Sequence, residues 1–331
     1  MIVNSVKKSH ILLSLLLILL MLCIVCRPTV YMQATLRGII VWSTAVLPAL
    51  FPFFFLTTIL SSLNVLDKLA KIFKRPLNAL FHTSQYSALV YLMSIISGYP
   101  VGAKLICDLY KNKKIDKFEA VRINAFTSCS GPVFLLGTVG STMLKSSHLG
   151  VIILITHFLG AFLNGLIYRN YGKKQKSDID ISVDTRNNIN DLMGNAIRQS
   201  VLSVLTVGGY IALSFMFCAF LSDTHLLNLL SAPLAFILKL LGIPTQFAQG
   251  IILGLTEITR GCLELSNFTT LSTDIVVVLI SGIIAFGGVS VALQSMTFLK
   301  QCNISLKIFL LQKSTQSLIT MALTGLFVFI F

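Results

Sequence analysis

Long hydrophobic runs dominate the chain, and the polar, glycine and proline residues that interrupt them predict its elements. Ile11 to Cys26 is apolar and uncharged, and it is followed by Arg27-Pro28 rather than a small-residue cleavage site. That predicts a retained first membrane helix. Residues 36–63 form a second span in which Pro48 and Pro52 predict a kink or partial unwinding. Between Asn64 and His82, Leu66, Leu69, Ile72, Phe73, Leu77 and Leu80 recur at helical spacing against Lys68, Lys71, Lys74 and Arg75. This is the pattern of an amphipathic helix lying on the cytoplasmic face. Residues 86–110 are apolar but broken at Gly98-Tyr99-Pro100-Val101-Gly102. Asp116, with Glu119 three positions on, reads as a capping-box variant. It opens a span to Leu144 that is interrupted at Ser128-Cys129-Ser130-Gly131-Pro132. Residues 150–168 are an ordinary span. After a polar stretch the order returns: a span over 193–221, a short apolar helix over 226–241, and a run over 247–268 broken at Thr256–Gly261. A span over 274–299, broken at Phe286-Gly287-Gly288, and a last span over 304–331 follow.

Each arm of the 86–110 run is about 12 residues, or roughly 18 Å of helix, too short for a hydrocarbon core of about 30 Å. The basic cluster Lys111, Lys113, Lys114 and Lys117 follows it. A single crossing would put that cluster outside, opposite the basic amphipathic helix. A hairpin that turns back at Gly98 keeps both inside, as the positive-inside rule requires. The second half carries the same signature. Lys104 precedes Asp108-Leu109 by four positions just beyond the first break, and Arg260 precedes Glu264-Leu265 by four just beyond the second. Each half holds three full spans, an odd number, so the second half inserts upside down.

The expected fold is therefore an all-α membrane protein of two inverted repeats, each with a re-entrant helical hairpin and a broken transmembrane helix. Its parts are an N-terminal helix (1–35), a first repeat (36–170), a cytoplasmic linker (171–190) and a second, inverted repeat (191–331).

Composition agrees: 55% of the 331 residues are hydrophobic, 11% are charged, and the mean hydropathy is +0.86. A soluble domain is excluded. The net charge of +14 then reflects cytoplasmic loops rather than nucleic-acid binding. With the N-terminus inside, seventeen of the 26 Lys and Arg fall in inner segments, and four (Arg27, Arg37, Lys145, Lys239) fall outside. Most of the seven cysteines lie in apolar runs and read as small buried residues, Cys23-x-x-Cys26 included.

Five bases remain at membrane depth: Lys104, Arg122, Arg198, Arg260 and Lys313. Lys104 and Arg260 stand at the hairpin tips, where helix N-termini also present free N–H groups. Two cations with such donors suit an anion carrying two carboxylates. The purely structural alternative pairs Lys104 with Asp108, and Arg260 with Glu257 or Glu264. Arg122, Arg198 and Lys313 lie near the cytoplasmic boundary and are expected to snorkel. Asn124, Thr127, Ser128, Ser130, Ser290 and Gln294, beside the broken spans, are candidate hydrogen-bonding groups. His157 reads as a packed histidine. No phosphate-binding loop, nucleophile elbow or metal-ligand spacing occurs, so no enzyme, cofactor or metal centre is expected.

Gly98-Tyr99-Pro100-x-Gly102-Ala103-Lys104, Asn124 with Ser130-Gly131-Pro132 and Gly137, and Thr256-Glu257-Ile258-Thr259-x-Gly261 resemble the YlbJ (SpoVV) sporulation integral membrane family. The resemblance runs from about residue 36 to the end. It implies membership of the nucleoside-recognition Gate group, related to concentrative nucleoside transporters and to the gate domain of ferrous-iron transporters. It further implies an endospore former, placement in the outer forespore membrane, and movement of dipicolinic acid toward the forespore for cortex formation. On that basis the substrate-binding set is Gly98, Tyr99, Pro100, Gly102, Lys104, Asn124, Ser128, Ser130, Gly131, Glu257, Thr259, Arg260 and Gly288. The partners are a dipicolinate-like anion and the lipid bilayer. A nucleoside permease and a non-transporting scaffold for cortex assembly are the competing readings, and the sequence leaves a homo-oligomer open.

Overall fold

A computed structural model describes residues 2–62, 74–172, 189–269 and 272–330. Most of the amphipathic stretch expected at 64–82, and nearly all of the 171–190 linker, lie outside the described residues. Among the described residues every regular element is helical.

Helix α1 (Ile2–Cys26) meets α2 (Pro28–Val41) at a sharp corner, with Ser14–Cys26 and Pro28–Thr44 bent by 105°. Pro28 suits the first position of α2, where no N–H is needed. One π-helical turn, Trp42–Val46, leads into α3 (Leu47–Ser62). The distortion expected at the prolines thus takes the form of an unwound turn just upstream of them. Pro48 cannot donate to the carbonyl of Thr44, so the preceding turn widens, and the Leu47 N–H bonds to Trp42 instead.

After α4 (Lys74–Phe81) come the first hairpin arms, α5 (Tyr86–Ser97) and α6 (Val101–Lys111). The broken helix follows as α7 (Lys117–Thr127) and a π-helical segment, Val133–Met143, and then α8 (Ser147–Tyr168). The Glu119 N–H donates to Asp116 Oδ1 at 2.7 Å, as the capping pattern predicts, while the Glu119 carboxylate accepts from the Ser84 N–H.

The second half runs α9 (Ile189–Asp223), α10 (Leu226–Leu240), hairpin arms α11 (Phe247–Thr256) and α12 (Ile258–Ser266), then α13 (Thr273–Phe286), α14 (Gly288–Leu299) and α15 (Leu306–Ile330).

Among the described residues, four stretches are long and apolar enough to cross a membrane: Ser147–Tyr168, Leu192–Asp223, Thr273–Cys302 and Leu306–Ile330. The bent pair Ser14–Cys26 and Pro28–Thr44 would make a fifth. The expected span over 116–144 is divided by its break.

Both hairpins close on small residues. A Cβ on Gly102 would stand 2.4 Å from Ser94 Oγ, and one on Gly261 would stand 2.1 Å from the Gly254 Cα. In each, positions before and after the tip face one another, so the arms are antiparallel.

Helices α2 and α9 form a long antiparallel pair. Gly38 lies against Ala212, Trp42 covers Gly208, and the Trp42 indole donates to the Val204 carbonyl at 3.1 Å. Asp223 closes one end, pairing with Arg27 and accepting from the Tyr31 hydroxyl at 3.0 Å. Arg27 is largely exposed and contributes little, whereas Tyr31 is buried. Asp223→Ala is therefore expected to cost about 1–2 kcal/mol, chiefly through the stranded tyrosine hydroxyl. The check is a lower thermal midpoint in detergent, unchanged by adding Arg27→Ala.

Helix α15 locks into the first half. Gln312 donates to the Val121 carbonyl at 2.9 Å and accepts from Asn124 at 2.7 Å, while Thr324 donates to Thr156 at 2.9 Å.

Candidate functional site at the helix breaks

Each hairpin tip rests on the glycine of the broken helix that follows it. Gly98 has φ 77° and ψ −165°, a conformation essentially restricted to glycine, and a Cβ there would lie 2.5 Å from the Gly131 nitrogen. In the second half, a Cβ on Gly288 would lie 2.8 Å from the Gly254 carbonyl oxygen and 3.2 Å from that of Leu255. The arrangement repeats because the punctuation repeats: glycine removes the side chain at each point where two backbones meet.

Around the first break the candidate residues converge. Tyr99, at the tip, donates its hydroxyl to the Ile284 carbonyl at 2.9 Å and so reaches the other half of the protein. Pro100 and Gly102 open the second arm. Ser128 caps α7, and the Ser130 N–H donates to His157 Nε2 at 2.9 Å. His157 is thus a packed, fully buried histidine that holds the broken backbone. Thr127 bonds back to Ile123, and Gln294 donates to Ser290, so these polar groups serve their own helices.

The two hairpin cations face different helices. Lys104 is 4% exposed and pairs with Asp108 at 3.2 Å. It also donates to Thr58 at 3.2 Å and lies over the Phe54 ring. Arg260 is half-buried. Its backbone N–H caps onto Glu257 Oε2 at 2.8 Å, and its side chain lines a cavity of about 190 Å³ with Gln33, Arg37, Phe215 and Ala219. Glu257 thus accepts from the helix terminus without closing an ion pair with the guanidinium, with Thr259 beside it in the first turn. Among the described residues the ion pairs are Arg27–Asp223 and Lys104–Asp108. Neither Arg37 nor Arg260 has a carboxylate at ion-pair distance there.

Lys313 departs from expectation. Instead of snorkelling it is 1% exposed, because the face of α15 that bears it is covered by α8 and α13. Its Nζ donates to the Ser128 carbonyl at 2.8 Å, to Gln316 Oε1 at 2.8 Å and to the Tyr99 hydroxyl at 3.2 Å. The sequence signal for this was a stripe of polar residues at helical spacing on the last span: Gln312, Lys313, Gln316, Thr320 and Thr324, all buried. Arg198 is exposed, in keeping with a boundary position, whereas Arg122 does not snorkel: it is 4% exposed and donates to the Tyr171 carbonyl at 2.9 Å.

Residues 43–145, which include the first hairpin and the first break, match the family model Gate, described as nucleoside recognition. Over 95% of its length the chain is 27% identical to the sporulation integral membrane protein YlbJ of Bacillus subtilis (strain 168), covering 81% of that protein. The chain is a homologue of YlbJ. Like YlbJ by its name, it is an integral membrane protein.

Its fold is that of the concentrative nucleoside transporters. One similar structure is CNTnw in an outward-facing state, with a TM-score of 0.53 and 13% identity over 88% of this chain and 77% of that one. Another is CNTnw in an inward-facing, substrate-bound state, with a TM-score of 0.54 and 14% identity over 86% and 76%. At such identities the likeness is one of fold.

Proposed function

We propose that the protein is a secondary transporter of a small anionic metabolite, dipicolinate, which it carries across the outer forespore membrane toward the forespore for cortex formation. The observation that carries this reading is the cavity lined by Arg37 and Arg260, two arginines with no carboxylate at ion-pair distance among the described residues. A guanidinium at partial burial favours an anion, and a planar dicarboxylate gives each arginine a bidentate partner. Lys104 adds positive charge from the other hairpin, held in place by Asp108 and Thr58. The transporter-like fold, the relation to a sporulation protein, and the hairpins docked on broken helices support it further. The N-terminus lies in the cytoplasm on this reading.

Dipicolinate uptake into proteoliposomes tests it. Saturable uptake is expected for the wild type. Arg260→Ala should reduce it about 10- to 100-fold, the worth of one charge-assisted hydrogen bond of about 1.5–3 kcal/mol. Arg37→Ala, at a more exposed site, should reduce it less. A nucleoside permease is the reading suggested by the description of the matching family model and by the nucleoside-transporter fold. Competition by excess nucleoside, with uptake indifferent to Arg260→Ala, would establish it instead. No wild-type uptake under sodium or proton gradients would turn the reading toward a scaffold.

A further inference from the structure

Lys313 is among the largest fully buried side chains, and among the described residues no carboxylate lies within ion-pair distance of it. Its surroundings are oxygens. The Ser128 carbonyl, the Gln316 amide oxygen and the Tyr99 hydroxyl give three acceptors, matching the three N–H bonds of an ammonium. The Tyr99 hydroxyl then donates its own proton to the Ile284 carbonyl.

One of these oxygens, and the acceptor of the Tyr99 hydroxyl, belong to helix ends. Ser128 caps the C-terminus of α7, and Ile284 lies in the last turn of α13, which Gly287 terminates. Helix C-termini carry free carbonyls and the negative end of the dipole. One of them, at Ser128, meets the ammonium directly, and the other, at Ile284, reaches it through the Tyr99 hydroxyl, so that a C-terminus from each half of the protein acts on a single cation. Unwound carbonyls and half-helix C-termini are the groups with which discontinuous helices hold a small monovalent cation in secondary transporters.

We propose that the Lys313 ammonium is a tethered substitute for such a cation, so that the helix breaks bind no sodium and need none. The site itself stands apart from transport. Its consequence, uptake without a sodium gradient, rests on the transporter reading given above.

Thermal unfolding of the purified protein in equal concentrations of sodium, potassium, ammonium and choline chloride tests the site without any substrate. The wild-type midpoint is expected to be the same in all four. Lys313→Ala vacates the oxygen cage. It should unfold several degrees lower in choline chloride and recover about 5 °C or more in ammonium or sodium chloride, since a ligand that binds only the folded state stabilises it. Equal loss in every salt would make Lys313 a structural pin and overturn the proposal. Should Lys313→Ala yield no folded protein, the wild type decides: a midpoint raised by sodium but not by choline places a sodium site in the protein as it stands and overturns the proposal, whereas equal midpoints uphold it. If proteoliposomes show no uptake at all, the transporter reading fails while these midpoints still decide the site.

Discussion

Gly98→Ala is expected to be the most damaging single methyl group that can be added to this protein. Its backbone stands at φ 77° and ψ −165°, where side chains are strained by about 1–3 kcal/mol. The new carbon would also sit 2.5 Å from the Gly131 nitrogen and 3.2 Å from the Ser130 carbonyl carbon, both backbone atoms. Backbone cannot swing aside as a side chain can, and overpacking of this kind costs about 1–3 kcal/mol more. Relief requires the tip to lift off the first break, which draws Tyr99 away from Ile284 and Lys313. A lower thermal midpoint together with lost dipicolinate uptake is the expected result. A variant with the wild-type midpoint would show that the tip does not rest on Gly131.

Gly261→Ala should come close behind, through packing rather than dihedral strain. Gly261 lies in α12, where alanine is the better helix former. The Cβ would nevertheless stand 2.1 Å from the Gly254 Cα and 2.4 Å from its nitrogen. The arms of the second hairpin must separate, at a cost of about 3 kcal/mol. Separation also moves the Gly254 and Leu255 carbonyls against which Gly288 packs. Gly209→Ala is the control. That glycine is helical, exposed and has nothing within 4 Å of the added carbon, so its midpoint should hold or rise. Equal effects at 209 and 261 would mean that helix propensity, not the close approach of two backbones, sets the outcome.

The hairpins and broken helices were legible in the sequence because glycine and proline act locally. Gly98, Gly131 and Gly287 interrupt apolar runs that have no other reason to stop, and at the second hairpin the polar run around Glu257 does the same. The capping at Asp116 was legible on the same ground. The contacts between distant elements were not. Arg260 and Arg37 line one cavity although they are far apart in the chain, and nothing near either residue in the sequence announces it. Lys104 and Arg260 look equivalent in sequence, yet Asp108 pairs with the first, while Glu264 forms no ion pair with the second among the described residues. Lys313 is the sharpest case. Its distance along α15 from the boundary fits snorkelling, and only the direction of its side chain, fixed by the helices that cover it, separates a surface lysine from a central one. The π-turn at Trp42–Val46 was half legible: the prolines predict distortion, and the missing N–H of Pro48 moves it a turn upstream.

The hydroxyl of Tyr99 has a mechanical meaning. It fastens the tip of the first hairpin to α13, Lys313 fastens both to the first break, and Gly288 seats the second hairpin on the second. The four pieces therefore share their degrees of freedom and cannot shear past one another one at a time. Their seam with α2, α3 and α9 is different in kind, an apolar face crossed by the Lys104–Thr58 and Tyr210–Thr297 hydrogen bonds. That seam has fewer polar ties to break than the hairpin contacts do, and the cavity lined by Arg37 and Arg260 lies beside it.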